Sequence, residues 1–224
     1  DSGQQHIFKM PTKGGVPIQL TQLKAREPVY SPDGKQIAFV EDKNLGRGEG
    51  DLDVYIVSSG GGEPRKIANT EKASSPVWSP DGEMIAYLDF AKGNKIFISP
   101  VSQKYNEKQK SFSINTPEGT EEVRLLAGWT PDNKIGALLV KRQEFGIYTL
   151  PAEGGQAAKI LHDTYAVQPR WSHDGKRIYY VTYSDDVSDI FYRWHLASVS
   201  ANGGDGKAVF NESTIKQLPF QSGN

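Results

Sequence analysis

The feature that most constrains the fold of this chain is a thirteen-residue pattern that occurs four times. Each copy holds an aromatic residue, a serine or threonine, a short polar turn and then an apolar run. The copies are PVYSPDGKQIAFV at 28–40, PVWSPDGEMIAYL at 76–88, LAGWTPDNKIGAL at 126–138 and PRWSHDGKRIYYV at 169–181. A pattern that recurs at near-regular intervals indicates a repeat architecture. The copies therefore describe how the chain is built before they describe any site.

The spacing of the copies predicts the size of the repeating unit. The residues that follow the aromatic position lie 48, 51 and 42 residues apart, and they are Ser31, Ser79, Thr130 and Ser172. These intervals are close to the roughly 40–50 residues of a four-stranded propeller blade. A second pattern runs in phase with the first, with two β-rich runs around a Gly-Gly turn, as in DVYIVSSGGGEPRKIA at 53–68. Each unit is therefore expected to be a four-stranded antiparallel meander, with strands A to D.

The residue types of the turn between strands A and B explain its shape. Proline presets a negative φ, aspartate accepts hydrogen bonds from nearby backbone N–H groups, and glycine adopts a positive φ. The third copy has Asn133 in place of glycine, and asparagine also tolerates a positive φ. We expect the serine to hydrogen-bond within the turn, since the strained G-x-S-x-G elbow of a nucleophilic serine does not occur. The aromatic residue is expected to fill the wedge between adjacent blades. It is Tyr30, Trp78, Trp129 or Trp171.

These patterns predict an all-β chain that forms a single β-propeller domain of four-stranded antiparallel blades. The expected units are complete blades at 22–69, 70–116, 117–162 and 163–212, with partial units at 1–21 and 213–224. The first partial unit would supply strands C and D, and 219–223 would supply a strand A. One arrangement is a portion of a six- or seven-bladed ring, and the other is a compact ring whose fifth blade is built from both termini. Exposed edges count against a portion. The missing strand B counts against the compact ring, and we favour the portion for that reason.

Composition excludes several classes of function. The 26 basic and 27 acidic side chains nearly balance, so nucleic acid is a poor candidate partner. The absence of cysteine excludes a disulfide framework and a thiolate metal site. No apolar run is long enough to predict a membrane span. The four histidines show no zinc-site spacing, and the acidic segments at 49–53 and 184–189 do not match a calcium loop. We predict no catalytic residue, no metal and no cofactor, and the sequence does not indicate an oligomeric state.

The repeated strand pattern resembles the PD40 (WD40-like) β-propeller repeat of TolB. The same repeat occurs in tricorn-type proteases and in the propellers of prolyl-oligopeptidase-type hydrolases. The resemblance covers nearly the whole chain, but it describes the repeat and not a role, because one fold can host many activities. Resemblance to TolB implies a protein–protein scaffold in the periplasm. Neither the N-terminal α/β domain of TolB nor the catalytic domain of the proteases has a counterpart in these 224 residues.

The expected topology indicates which face of the propeller binds a ligand. The A–B and C–D turns form one face, the turn face, and they are stereotyped. The D–A and B–C connections form the opposite face, the loop face, and they are irregular. The loop-face segments are 41–53, 114–125, 162–168 and 182–189. Irregular loops on a rigid scaffold usually carry binding residues. The candidate contact residues are Arg47, Asp51, Glu122, Arg124, Arg142, Tyr165 and Tyr183.

The function predicted from the sequence is a non-catalytic binding scaffold in the periplasm or outside the cell. Its partner would be a protein, a peptide or a glycan. A first alternative is the non-catalytic propeller domain of a prolyl-oligopeptidase-type or tricorn-type hydrolase. A second alternative is a metal-dependent propeller lyase.

Overall fold

The computed structural model describes residues 5–43, 52–68, 70, 72–93, 95–102, 112–114, 116–162, 166–172, 174–183 and 194–209. It describes the backbone alone for Ala68, Phe112, Ser113, His162, Tyr183 and Trp194. The strand A expected at 219–223 lies outside these residues.

The described residues form one two-stranded sheet and four four-stranded sheets, all antiparallel. The two-stranded sheet pairs β1 (Phe8–Lys9) with β2 (Ile18–Gln19). The first blade contains β3 (Ala25–Tyr30), β4 (Gln36–Asp42), β5 (Leu52–Ser58) and β6 (Arg65–Ala68). The second contains β7 (Ala73–Trp78), β8 (Met84–Asp89), β9 (Lys95–Pro100) and β10 (Phe112–Ile114), with a short 3-10 helix (Phe90–Lys92) after β8. The third contains β11 (Glu122–Trp129), β12 (Lys134–Lys141), β13 (Glu144–Pro151) and β14 (Ala158–His162). The fourth contains β15 (Val167–Trp171), β16 (Arg177–Tyr183), β17 (Trp194–Ser200) and β18 (Lys207–Ala208).

In each blade the strands pair in sequence order, as the two repeated turns predict. The predicted fold class, a β-propeller of four-stranded antiparallel blades, is therefore confirmed. Strands C and D expected near the N-terminus are present as β1 and β2. None of the helices in the described part of the chain has the length and apolar character needed to cross a membrane.

Strand B explains where the core lies. In β4 the side chains from Ile37 to Val40 are all buried, although adjacent residues point to opposite faces of the sheet. Both faces of β4 are covered because a neighbouring sheet packs on each side of the first blade. The buried side chains form four clusters, each between two adjacent sheets. In the first three blades the apolar run after the A–B turn therefore encodes a strand that is buried on both faces. In β16 of the fourth blade, buried residues alternate with partly exposed ones, because a described sheet covers one face alone.

The aromatic wedge is confirmed at three of its four positions. Trp78 is 6% exposed, and its indole Nε1 donates to the carbonyl of Val29 in the preceding strand A at 3.0 Å. Trp129 and Trp171 are partly buried against the clusters that precede their blades. The prediction is wrong for Tyr30, which is 49% exposed. The described sheet that precedes its blade consists of β1 and β2 alone, so no described strand A lies beside the Tyr30 side chain.

The A–B turns are closed by one repeated hydrogen-bond network. In the second blade the Ser79 hydroxyl donates to Asp81 Oδ1 at 2.5 Å and accepts from the Met84 N–H at 2.9 Å. The hydrogen bond from Ser79 is the main reason that the pKa of Asp81 lies below its ordinary value. The turns at Ser31 and Ser172 repeat this geometry, and Asn133 has the expected positive φ of 59°. The interpretation of these serines as structural is confirmed.

Candidate functional site

A cavity lies between the A strands of the described blades. It has a volume of about 970 Å³ and is lined by residues from strand A of all four blades and from the A–B turns. Its walls come from within 27–32, 74–80, 124–131 and 168–175. We call it the A-strand cavity. It exposes prolines, serines and aromatic rings, with one acidic and two basic side chains, Glu27, Arg124 and Arg170.

Strand A is bulged in the same way in three blades. Glu27, Ser75 and Gln168 have φ values of 54°, 54° and 51°, and each precedes a proline. At each position the strand pairing shifts by one residue. Proline has no N–H for the ladder, and a left-handed backbone is strained for residues other than glycine. The bulge breaks the regular alternation of the strand, and all three left-handed residues line the A-strand cavity.

Strand A of the third blade is bulged differently. Its pairing with β12 shifts twice, between Val123 and Leu125 and again between Leu126 and Gly128. Arg124 is the extra residue at the first shift, and it lines the A-strand cavity. A bulge can re-aim a side chain in this way.

The structure moves two predicted contact residues from a loop into a strand. Glu122 and Arg124 were expected in the D–A connection at 114–125, but both lie in β11, because the pairing with β12 begins at Glu122. Arg124 Nη1 lies 3.2 Å from Glu122 Oε1, and its guanidinium lies 6.0 Å from the centre of the Phe145 ring. Arg124 thus reaches the A-strand cavity, with Glu122 as its ion-pair partner.

Arg142 lies on the loop face, as expected, but away from the A-strand cavity. It forms a two-residue turn between β12 and β13 with Gln143, and both have positive φ. Their N–H groups donate to the two carboxylate oxygens of Glu121, at 2.9 and 3.2 Å. Arg142 also lines a separate cavity of about 580 Å³ with Glu118 and Glu121.

The other predicted contact residues are described in part or lie outside the described ranges. Tyr183 is the last residue of β16, and its side chain is not described. Arg47, Asp51 and Tyr165 lie outside the described residues. Of the seven predicted residues, the structure therefore places one, Arg124, in the wall of the A-strand cavity.

Residues inside the repeat itself were missed by the sequence reasoning. Glu27, Ser75 and Gln168 precede the repeated proline, and Arg170 occupies the position of Val29 and Val77. These residues line the A-strand cavity. The sequence signal that could have identified them is the difference between copies at these positions of an otherwise regular pattern. A side chain that faces a cavity can differ between copies because it does not pack against a neighbouring blade.

The charged groups divide the A-strand cavity into two sides. On the side of blades one and two, Glu27 Oε2 accepts from the Ser75 N–H at 2.5 Å and from the Ser74 hydroxyl at 3.2 Å. On the side of blades three and four, the lining contains Arg124 and Arg170. The side chain of Arg170 donates to the carbonyl of Pro169 at 2.8 Å, and within the described residues it has no acidic partner.

A buried carboxylate elsewhere in the first blade has a structural role. Asp53 is 1% exposed, and its carboxylate accepts from Lys66 Nζ at 2.6 Å, Lys43 Nζ at 3.1 Å and the Thr70 N–H at 3.2 Å. Burial alone would raise the pKa of Asp53, but these hydrogen bonds outweigh it and hold the pKa below its ordinary value.

The described histidines do not converge on a shared site. His6 Nδ1 lies 3.0 Å from the carbonyl oxygen of Leu23, and His195 lies in β17. His162 ends β14, and His173 lies outside the described residues. Across the described ranges no group of three or more histidine, aspartate or glutamate side chains is placed to hold a metal ion.

Comparison with known proteins establishes the fold. No family model matches this chain. A structure described as TolB from Agrobacterium tumefaciens is similar with a TM-score of 0.75 at 18% identity, over 92% of this chain and 74% of that chain. TolB from Acinetobacter baumannii is similar with a TM-score of 0.70 at 19% identity, over 90% of this chain and 47% of that chain. The resemblance to TolB-like propellers is thus confirmed at the level of the fold, and no family model tests the PD40 repeat itself.

Propellers from enzymes are also similar to this chain. An oligogalacturonate lyase in complex with manganese has a TM-score of 0.63 at 10% identity, over 92% of this chain and 59% of the lyase. An acylaminoacyl peptidase has a TM-score of 0.56 at 16% identity, over 84% of this chain and 32% of the peptidase. In sequence, 64 residues are 41% identical to the Uncharacterized peptidase YuxL of Bacillus subtilis (strain 168), which is 28% of this chain and 9% of that protein. The chain thus spans less than a tenth of that relative, and the fold is shared by TolB proteins, a peptidase and a lyase.

Proposed function

We propose that this chain is a non-catalytic binding module that takes a segment of another protein into the A-strand cavity. The observation that carries the proposal is the cavity itself, about 970 Å³ in volume and lined by strand A of every described blade. Concave sites of this size with a few converging polar groups are the usual binding sites of proteins. The strained residues at its wall support the same proposal, because backbone strain tends to collect at functional sites.

The shape and lining of the cavity favour a peptide segment. Six residues of β11, from Arg124 to Trp129, form one wall, and at about 3.3 Å per residue this stretch is roughly 20 Å long. An extended segment of several residues matches such a wall. The lining includes Tyr30, Trp129 and Trp171, and such rings give a large contact area at a low entropic cost. Arginine, which is also enriched at interface hot spots, is present twice.

The likeness to TolB proteins supports a location in the periplasm or outside the cell, and a protein as the partner. Glu122 and Arg142, which lie outside the cavity lining, are proposed as contacts at the loop face. Arg47, Asp51, Tyr165 and Tyr183 remain predicted contacts there. A glycan is the alternative ligand of the same face.

A photocrosslinking experiment tests whether peptides bind in the A-strand cavity. Peptides that bind the protein are selected from a displayed random library. A benzophenone amino acid is then placed at Gln168, in the cavity wall, or at Asp205, in the exposed C–D turn of the fourth blade. We expect the selected peptides to crosslink at position 168 and not at position 205. Peptides that crosslink equally at both positions, or at 205 alone, would contradict the proposal.

The second candidate function is the non-catalytic propeller of a peptidase, supported by the 64-residue match to YuxL. In that case the A-strand cavity would admit peptides to a catalytic domain in a longer protein. An active-site fluorophosphonate probe applied to the full gene product decides between the two candidates. Labelling of a serine outside these 224 residues would favour the peptidase, and its absence, with peptides bound at position 168, would favour the binding module.

A further inference from the structure

We propose that blades three and four form a carboxylate-binding subsite in the A-strand cavity, built from Arg124, Arg170 and the backbone N–H of Gln168. Its ligand is a carboxylate of the bound peptide, from an Asp or Glu side chain or from the C-terminus. The inference rests on the proposed function, because it specifies the ligand of the same cavity.

The first two blades contain an internal example of such a contact. The N–H of Ser75, at the left-handed bulge of β7, donates to the carboxylate of Glu27 in the preceding strand A at 2.5 Å. The Ser74 hydroxyl adds a second hydrogen bond at 3.2 Å. The bulge places Ser75 and Pro76 opposite one residue of β8, so the N–H of Ser75 is available outside the ladder. In this molecule a bulged A strand therefore binds a carboxylate.

Within the described residues, the same bulge in the fourth blade receives no such carboxylate from the preceding blade. Gln168 has a φ of 51°, compared with 54° for Ser75, precedes a proline and lies at the same shift of pairing. The residue that corresponds to Glu27 in the third blade is Leu126, which is buried and apolar. The Leu126 side chain has no hydrogen-bond acceptor, so it cannot take the place of Glu27, and the Gln168 N–H is left for a ligand in the cavity.

The charges around this second bulge are suited to an anion. Arg170 replaces the valine found at this position in the first two blades, and it lies two residues from Gln168. Arg124 lines the same cavity, and its ion pair with Glu122 is half-exposed and therefore weak. Guanidinium groups bind carboxylates with paired hydrogen bonds. Glu27 repels a carboxylate from the opposite side of the cavity, so the ligand carboxylate is directed to blades three and four.

Four forms of each selected peptide test the subsite with the wild-type protein. The acidic residues are either kept or changed to their amides, and the C-terminus is either free or amidated. Because a hydrogen-bonded charge contributes about 1.5–3 kcal/mol, we expect loss of the bound carboxylate to weaken binding about ten- to a hundredfold. The two changes identify whether a side chain or the C-terminus supplies the carboxylate. Binding that is equally tight for all four forms would overturn the subsite.

A pair of variants then locates the subsite. Arg170→Met should weaken the carboxylate peptide about tenfold and leave the amide peptide unchanged. Lys176→Met removes the same charge from the A–B turn of the same blade, on the turn face, and should change neither affinity. If Arg170→Met fails to fold, Arg170→Lys is measured in its place. The four peptide forms test the subsite with the wild-type protein in either case. Equal losses for Arg170→Met and Lys176→Met would show a general charge effect and contradict the subsite.

The outcomes separate this inference from the proposed function. Selected peptides that do not crosslink at position 168 would overturn both. Peptides that crosslink at position 168 but bind equally well without carboxylates would overturn the subsite alone. Oligogalacturonate that displaces the carboxylate peptide and binds more tightly would overturn the assignment of the ligand as a peptide.

Discussion

The junction between blades one and two and the junction between blades three and four come from the same repeat but differ in their polar contacts. In the first, the indole of Trp78 donates to the Val29 carbonyl, and Glu27 occupies the bulge of the next strand A. In the second, the buried Nε1 of Trp171 has no acceptor among the described residues. No carboxylate among the described residues of the third blade is hydrogen-bonded to Gln168. The repeat therefore specifies how blades stack, and substitutions at a few positions determine which polar groups remain for a ligand.

The two junctions also differ in how closely the aromatic ring approaches the preceding strand B. Trp78 belongs to the same buried cluster as Ala38. The corresponding residue before Trp171 is Gly136, and a Cβ there would lie 2.1 Å from Cζ3 of the Trp171 ring. The ring of Trp171 takes the space that a side chain would need. The second junction is closely packed, although the Trp171 indole N–H lacks the hydrogen bond that Trp78 makes in the first.

The largest expected effect comes from breaking the first junction at its buried carboxylate. Asp53 ties Lys66 of β6 to the Thr70 N–H on the connection to the second blade. Asp53→Asn should lower the free energy of unfolding at pH 7 by about 3 kcal/mol, because the partly buried Lys66 ammonium loses the buried carboxylate that pairs with it. The measurement is urea unfolding, with Asp33→Asn in an exposed turn as the control. A loss as small as that of the control would contradict this role.

The same variant should change the dependence of stability on pH. The pKa of Asp53 is lower in the folded protein than in the unfolded chain. Its contribution is therefore fully present above the unfolded pKa of about 3.9 and is lost as the pH falls through the lower folded pKa. The difference in unfolding free energy between wild type and Asp53→Asn should be constant from pH 7 to about pH 5 and shrink below about pH 4. A difference that grows at low pH would contradict the direction of the shift.

The next effect tests the packing of the second junction. Gly136→Ala should lower stability by about 2 kcal/mol, because the new Cβ displaces the Trp171 ring. Thermal unfolding gives the loss, and the same substitution in a Trp171→Leu background gives the coupling between the two positions. Trp171→Leu should remove most of the cost of Gly136→Ala. If the cost persists in that background, the ring is not its cause.

A smaller effect compares the two indole groups directly. Trp78→Phe removes a hydrogen bond to Val29 and should lower stability by about 1 kcal/mol beyond the loss of ring area. Trp171→Phe removes an indole N–H that has no acceptor among the described residues. Its loss of stability should therefore be smaller than that of Trp78→Phe by about 1 kcal/mol. Urea unfolding of both variants measures the difference. Equal losses would show that the hydrogen bonds do not distinguish the junctions.

The smallest effect concerns Glu27, whose side chain is partly exposed. Glu27→Gln keeps the shape but weakens the hydrogen bond from Ser75, and it should lower stability by about 0.5 kcal/mol. Amide hydrogen exchange at Ser75 is the sharper measurement and should become faster. Exchange at Gln168, which has no equivalent partner, should not change.

Much of the fold could be predicted from the sequence, and the A-strand cavity could be predicted only in part. Strand order, both turns and the buried strand B follow from local patterns of glycine, proline and apolar residues. Arg124 was identified for the wrong reason, as a loop residue, although it lies at a bulge of β11. Glu27 and Gln168 were missed because each looks like an ordinary residue before a proline.

The sequence by itself determined the blade. Four near-copies of a strand–turn–strand pattern fix the order of the strands and mark which strand is buried. Only the tertiary structure decided which residues of the repeat face a shared cavity. Glu27 and Ser75 are 48 residues apart in sequence, and their contact exists because two bulged strands lie side by side. Bulges shift the alternation of a strand by one residue, and their effect on side-chain direction depends on the partner strand. Whether a carboxylate fills the bulge, as at Ser75, or the bulge stays open, as at Gln168, therefore depends on which residue the fold places beside it.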